Sequence, residues 1–316
     1  MQQLIDEGRF VLVNGVEQWI TIRGQSRTNP VLFMISGPGV AFSRLALFFA
    51  PWERDYTLVQ WDQPGAGATA SRNAGTQGAI SFERLTRDGL AVAEFIRSHL
   101  QPDRMVLLGI SGGSIVALNM VTRRPDLFAA YVGTGQIVDW ARQEALSYEM
   151  VMAQARARGD EAAVAELTAL GSPPYDDLAK DVVKSKYASA PTAAEHAVFA
   201  GLDPAVAEAM RTPPPEATYV PRGLPAIDQR AQALEVYREL RHEMVAFDAR
   251  VIGVDFSIPM FFIQGEHDAY TATSEVQAYC DELRAPAKQV VVVKGGGHST
   301  VFLRDAFLAA LNRLLR

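Results

Sequence analysis

An α/β fold, with a largely parallel sheet and helices on both faces, is what this sequence predicts. Three observations carry that expectation. Short apolar runs of strand length alternate with helical patterns through the first half of the chain. Residues 139–247 then hold helical stretches and almost no strand-like run. After residue 247 the strand–helix rhythm resumes and continues to the end.

Taken in order, runs 9–13 and 17–22 flank Asn14-Gly15, a two-residue turn suited to a hairpin. Runs 30–35, 57–61 and 105–109 follow, each apolar and of buried-strand length. Residues 81–100 place Phe82, Leu85, Leu90, Val92, Phe95 and Ile96 at near-helical spacing behind a Ser81 cap. Residues 114–122 read as helix and 129–132 as a further strand. The helices expected next are 140–158, 160–170, 177–187, 192–199 and 228–247, with Thr192 and Glu195 forming a capping box. Pro173-Pro174 and Pro213-Pro214-Pro215 break that series. Strand 259–264, helix 274–283, strand 289–293 and helix 300–315 complete the chain. Because the sheet pattern resumes after the helical block, the block reads as an insertion. The expected division is an α/β core of residues 1–138 and 248–316 and a helical cap, or lid, of residues 139–247.

Composition excludes several functions. The 316 residues are 48% hydrophobic and 21% charged, enough for one large elaborated α/β domain. A formal net charge of −6 without a basic run speaks against a nucleic-acid partner. The single cysteine, Cys280, rules out an internal disulfide and a thiolate zinc cluster. It falls in a helical pattern and reads as an inert thiol. Residues 1–10 carry Asp6 and Glu7 and no apolar stretch, and the longest apolar run, 45–52, is too short for a bilayer. These features lead to the expectation of a cytoplasmic protein with no membrane contact.

The chemistry is concentrated at three places. Gly109-Ile110-Ser111-Gly112-Gly113 contains G-x-S-x-G, which a chain of this length meets by chance about one time in ten. Its setting adds weight, because an apolar strand runs into it and a helix leaves it. That is the strand–turn–helix context in which the α/β-hydrolase fold presents a nucleophilic serine. Neither G-x-G-x-x-G nor a GK[ST] ending is present, which disfavours a phosphate-binding turn. A serine needs a base to take its proton and an acid to fix the base's tautomer, in the chain order Ser, Asp/Glu, His. His298 follows strand 289–293 and the loop Lys294-Gly295-Gly296-Gly297, which makes it the candidate base. His99, His196 and His242 sit in helical patterns, and His267 neighbours the acid. Asp268 follows strand 259–264 by a short loop and is preferred over Glu266, earlier in the turn, and Asp255, at the wrong end of the strand.

Four stretches carry a family likeness: Ile35-Ser36-Gly37-Pro38-Gly39, Trp61-Asp62-Gln63-Pro64-Gly65, the Ser111 turn, and Gly265–Asp268 with Gly296-Gly297-His298-Ser299. With them the chain resembles the proline iminopeptidase-like branch of the α/β-hydrolases, peptidase family S33. The likeness spans nearly the whole chain, although the helical block matches only in general pattern. By this resemblance the backbone N–H groups of Gly37 and Gly112 form the oxyanion hole. The sequence departs from the family where HGGPG reads ISGPG, where Gly112 replaces a bulky aromatic, and where Pro64 replaces the arginine of WDQRG. Gly112 should therefore leave extra room at the acyl site, and Ser36 should bring a hydroxyl near the oxyanion.

The function expected is hydrolysis of an ester or amide bond in a small molecule or short peptide, through an acyl-enzyme and with no cofactor or metal. Within it, proline iminopeptidase-like aminopeptidase and carboxylesterase or lactonase readings compete. An aminopeptidase needs cap carboxylates for a substrate ammonium, and Glu144, Glu149, Glu195, Asp203 and Glu243 are available. Trp140, Tyr148, Met152 and Phe199 suit an apolar pocket wall or simple helix packing. A different class, a ligand-binding hydrolase-fold protein with little turnover, is kept open by the altered oxyanion loop.

Overall fold

The computed structural model describes residues 4–175 and 177–316; residues 1–3, the head of the segment read for a targeting signal, lie outside it. Its apolar runs become eight strands: β1 (Ile5–Val13), β2 (Val16–Gly24), β3 (Val31–Ile35), β4 (Thr57–Asp62), β5 (Met105–Ile110), β6 (Phe128–Thr134), β7 (Met260–Gly265) and β8 (Lys288–Val293). They form one sheet in the order β1-β2-β4-β3-β5-β6-β7-β8. The first two pairings are antiparallel and the rest parallel.

Side-chain alternation explains why the central runs are apolar nearly throughout. Val31, Phe33 and Ile35 of β3 face one core, while Leu32 and Met34 face the other. Both faces are covered, so neither can be polar. The helices of the first part of the chain are α1 (Ala46–Phe49), α2 (Gly67–Arg72), α3 (Phe82–Leu100) and α4 (Gly113–Arg123). The inserted run holds α5 (Trp140–Ala157), α6 (Glu161–Leu170), α7 (Leu178–Ala188), α8 (Ala193–Ala200), α9 (Pro204–Arg211) and α10 (Gln229–Val245). Then come α11 (Ala249–Ile252), α12 (Thr273–Glu282) and α13 (Arg304–Leu314). Helices α3, α4 and α12 pack on one face of the sheet, and α1 and α13 on the other.

The inserted run leaves and rejoins the sheet at one place. Trp140 N–H donates to Phe247 O (3.1 Å), and Ala249 N–H donates to Val138 O (2.7 Å). Its helices have a small core of their own, built on Val151, Met152, Ala155, Ala163 and Leu167.

The structure departs from the sequence reading in a few elements. Helix α9 was not expected, although Asp203 caps it and Pro204 occupies its first turn. The single helix expected over 300–315 is a 3-10 turn, Thr300–Phe302, followed by α13. The hairpin is longer than expected at its outer end, where exposed Asp6 and the ion-paired Arg23 obscure the alternation.

Asp62, at the end of β4, is fully buried; its Oδ2 accepts from Ser43 Oγ and Ala68 N–H, both at 2.9 Å. Burial pushes its carboxyl up to about 6 from 3.8. A raised carboxyl stabilises the fold below its unfolded value and loses that stabilisation as pH rises through its folded value. Asp62→Asn removes the titration. Between about pH 4.5 and pH 7 the native protein should lose about 2 kcal/mol more unfolding free energy than the variant. Urea unfolding at both pH values measures this, and equal losses in the two proteins would contradict it.

Candidate active site

The parallel strands end together, and the loops after them converge on one spot. Ile35 pairs with Gly109, Ile110 with Thr134, and Gly265 with Val293, so β3, β5, β6, β7 and β8 finish side by side. This is the edge at which open α/β sheets bind ligands.

Ser111 occupies the turn from β5 into α4 with φ +52°, a left-handed conformation unfavourable for any residue with a Cβ. The turn is held by Ser111 N–H to Thr134 O (2.9 Å) and Ser114 N–H to Ser111 O (2.8 Å). Its glycines are required by close approach. A Cβ on Gly113 would sit 2.2 Å from Ile35 O, and one on Gly109 would sit 2.9 Å from Ser114 Cα.

His298 Nε2 lies 2.9 Å from Ser111 Oγ. Its Nδ1 lies 3.2 and 3.3 Å from the two oxygens of Asp268. An ionised carboxylate only accepts, so the imidazole proton belongs on Nδ1 and Nε2 is free to accept from the serine. Asp268 is buried, and its Oδ1 accepts from the N–H groups of Tyr270 and Thr271, both at 2.9 Å. Thr271 Oγ1 donates to Asp268 Oδ2 at 2.6 Å. Burial works to raise this carboxyl, but the neighbouring His298 and the hydrogen bonds from His298 and Thr271 outweigh it and hold it below its ordinary value. The Tyr270 ring packs against the imidazole at 4.6 Å between centroids.

The residues set aside in the sequence have other partners. Glu266 accepts from Gly295 N–H (2.9 Å), and Asp255 pairs with Arg284. His99 contacts Glu7 at 2.8 Å, and Cys280 is buried with its thiol pushed up by burial. Thr271 and Tyr270 were missed. The signal was Asp268 followed at two and three positions by N–H donors, the spacing of an Asx turn.

Gly37 lies beside the Ser111 turn, where a Cβ on it would be 3.8 Å from Gly112 N. Among the described residues, no protein acceptor takes the N–H of Gly37 or of Gly112. Two expectations need correction here. Gly112 leaves no extra room: a Cβ on it would sit 2.9 Å from the Pro38 ring, which fills that space. Ser36 brings no hydroxyl to the site, because its side chain is buried and donates to Val40 O at 2.6 Å.

Ser111, Gly37, Gly112 and His298 open onto a cavity of about 550 Å³. Its far wall comes from α7 and α10, through Val182, Ser185, Leu234, Tyr237, Leu240 and Met244. Burial pushes the Tyr237 and Tyr270 phenols far above their ordinary range, so both stay neutral donors. Arg230 is the cationic side chain on this wall, and no carboxylate lines it among the described residues. The acids of the inserted helices do not line the cavity: Glu144 pairs with buried Lys184, Glu195 with Gly297 N–H, and Glu243 with Phe82 N–H. Asp203 caps α9 and Glu149 is exposed. Trp140, Tyr148, Met152 and Phe199 pack among helices and do not line the cavity. Two hollows of about 660 and 670 Å³ lie around α13, the larger of them at the opposite ends of the strands.

Residues 29–184 match the family described as serine aminopeptidase, S33. The chain is 24% identical over 290 residues to the probable aminopeptidase YbaC of Bacillus subtilis, covering 91% of this chain and 89% of that protein. A proline iminopeptidase-related protein of Thermus thermophilus superposes with a TM-score of 0.65 at 19% identity, covering 98% of this chain and 97% of that one. An enol-lactonase of Burkholderia xenovorans superposes at 0.60 with 18% identity, covering 97% and 99%. The chain thus has the α/β-hydrolase fold, and the resemblance to S33 enzymes read from its motifs is borne out.

Strain at the serine gives a direct test of the turn. Ser111→Ala and Ser111→Gly both remove the hydroxyl, but only glycine relieves φ +52°. Ser111→Gly should be more stable than Ser111→Ala by about 1 kcal/mol. Urea unfolding of the pair measures the difference; a more stable alanine variant would contradict the left-handed turn.

Proposed function

We propose that the protein is a serine hydrolase that cleaves an ester or amide bond of a small molecule or short peptide through an acyl-enzyme. The observation that carries this reading is the Ser111–His298–Asp268 chain of hydrogen bonds opening onto the cavity. Ser111 Oγ attacks the substrate carbonyl while His298 Nε2 takes its proton. Asp268 stays ionised and orients the ring. The free N–H groups of Gly37 and Gly112 donate to the oxyanion, each worth about 3–4 kcal/mol in the transition state. His298 returns the proton to the leaving group, and water then releases the acyl group. Helices α5–α10 act as the cap, since α7 and α10 supply the wall facing Ser111.

The wall favours an ester over an N-terminal peptide. An α-ammonium needs a carboxylate partner once desolvated, and the cavity offers neutral phenols, hydroxyls and Arg230 instead. Neutral or anionic esters with apolar bulk fit that lining. The aminopeptidase reading draws its support from the S33 match and the Bacillus subtilis relative.

Hydrolysis of p-nitrophenyl acyl esters compared with prolyl-p-nitroanilide separates the two. Esters should be turned over with kcat/KM at least about a hundredfold higher, a gap on the scale of one unpaired buried charge. Comparable or faster anilide hydrolysis would reverse the assignment. Asp268→Asn should lower ester kcat by about four orders of magnitude by presenting the wrong imidazole tautomer. A loss of less than about tenfold would remove Asp268 from the mechanism.

A further inference from the structure

The loop that carries His298 is the least self-supporting part of the site. Between the end of β8 at Val293 and His298 stand Lys294, Gly295, Gly296 and Gly297, and a triple glycine has little conformational preference of its own. Yet a general base must be held within hydrogen-bond reach of the proton it takes. Local bonds from Gly296 N–H to Val293 O (3.2 Å) and from Thr300 Oγ1 to Gly297 O (2.7 Å) supply part of the order, and contacts from outside the loop supply the rest. From the sheet side, Glu266 accepts from Gly295 N–H (2.9 Å), and His267 N–H donates to Gly296 O (2.7 Å).

The other side is held by the first turn of α8, in the inserted block. Thr192 Oγ1 donates to Gly295 O at 2.8 Å, and Glu195 Oε1 accepts from Gly297 N–H at 2.9 Å. The second carboxylate oxygen of Glu195 accepts from Thr192 N–H at 2.8 Å, closing the capping box on itself. Glu195 is 1% exposed and forms no ion pair among the described residues, so its charge rests on backbone N–H groups and the helix N-terminus. The fit is tight: a Cβ on Gly297 would sit 3.0 Å from Thr192 Cγ2 and 3.2 Å from Glu195 Oε2. A capping box needs only its own helix. This one spends a carboxylate oxygen and a hydroxyl proton on the loop next to the imidazole.

We propose that Thr192 and Glu195 are positioning residues for His298, through which the helical block sets the placement of the base. The proposal rests on the reading of His298 as base. If α8 moves away, the glycine loop loses two of its hydrogen bonds and the imidazole loses its register with Ser111. The block is then part of the catalytic apparatus as well as a cavity wall.

The test uses ester hydrolysis by the full-length protein, with kcat expressed per active site titrated by a fluorophosphonate. Glu195→Ala should lower kcat about ten- to a hundredfold, the scale of a small misplacement of a reacting group. KM should stay within about twofold, and the acid limb of the kcat/KM profile should shift. Glu195→Gln keeps an acceptor for Gly297 N–H and should recover most of the loss. Thr192→Val removes the bond to Gly295 together with the cap bond from Glu195 N–H but leaves the Glu195 carboxylate on Gly297, and it should give a smaller drop of the same kind, which keeps the test decisive if Glu195→Ala does not fold. Unchanged kcat per titrated site and pH profile in Glu195→Ala, or in Thr192→Val where the first is insoluble, would overturn the proposal, whatever happens to Tm. His298→Ala, run in parallel, isolates the premise: if it retains activity, the base assignment fails and not the clamp.

Discussion

The left-handed backbone of Ser111 is the constraint on which the rest of the site depends. A residue with a Cβ is held there only because the surroundings over-determine it. β5 delivers the chain between β3 and β6, Thr134 O takes the serine N–H, and α4 starts immediately on the far side. The turn is so tight that the Ile35 carbonyl lies where a side chain on residue 113 would be. The same crowding brings the 37–38 loop against Gly112 and leaves two N–H groups without a protein acceptor among the described residues. The strain and the proposed oxyanion hole thus have one origin.

Electrostatics around the turn divide into two zones. Behind His298, Asp268 is ionised, buried and surrounded by donors, and keeps the ring in one tautomer. In front of it, the cavity is apolar with neutral phenols and one guanidinium. Three acids of the helical block are engaged in structure: Glu144 through one oxygen with Lys184, Glu243 at the start of α3 and Glu195 at the histidine loop. A count of cap carboxylates in the sequence therefore overstates the capacity for binding an ammonium.

Most of the sheet was legible because strands buried on both faces must be apolar throughout, and runs such as Phe33-Met34-Ile35 admit little else. The placement of Ser111 and Asp268 was legible because each follows such a strand, and that of His298 because it follows the valine run of the edge strand β8. What stayed hidden depends on contacts distant in sequence. Nothing near Gly112 announces that Pro38 fills the space beside it, and nothing near Ser36 shows its hydroxyl turned to Val40. The Thr192–Glu195 box was readable as a helix start, but its reach to a loop about a hundred residues later was not. Helix α9 was missed because it is only eight residues long and a proline after an acid also fits a turn.

The central claim, that Ser111 is a live nucleophile activated by His298, is tested most directly by a fluorophosphonate probe followed by intact mass and peptide mapping. The native protein should take up one adduct, located on Ser111, while Ser111→Ala takes up none and His298→Ala reacts far more slowly. Absence of an adduct on folded native protein, or equal labelling of Ser111→Ala, would contradict it.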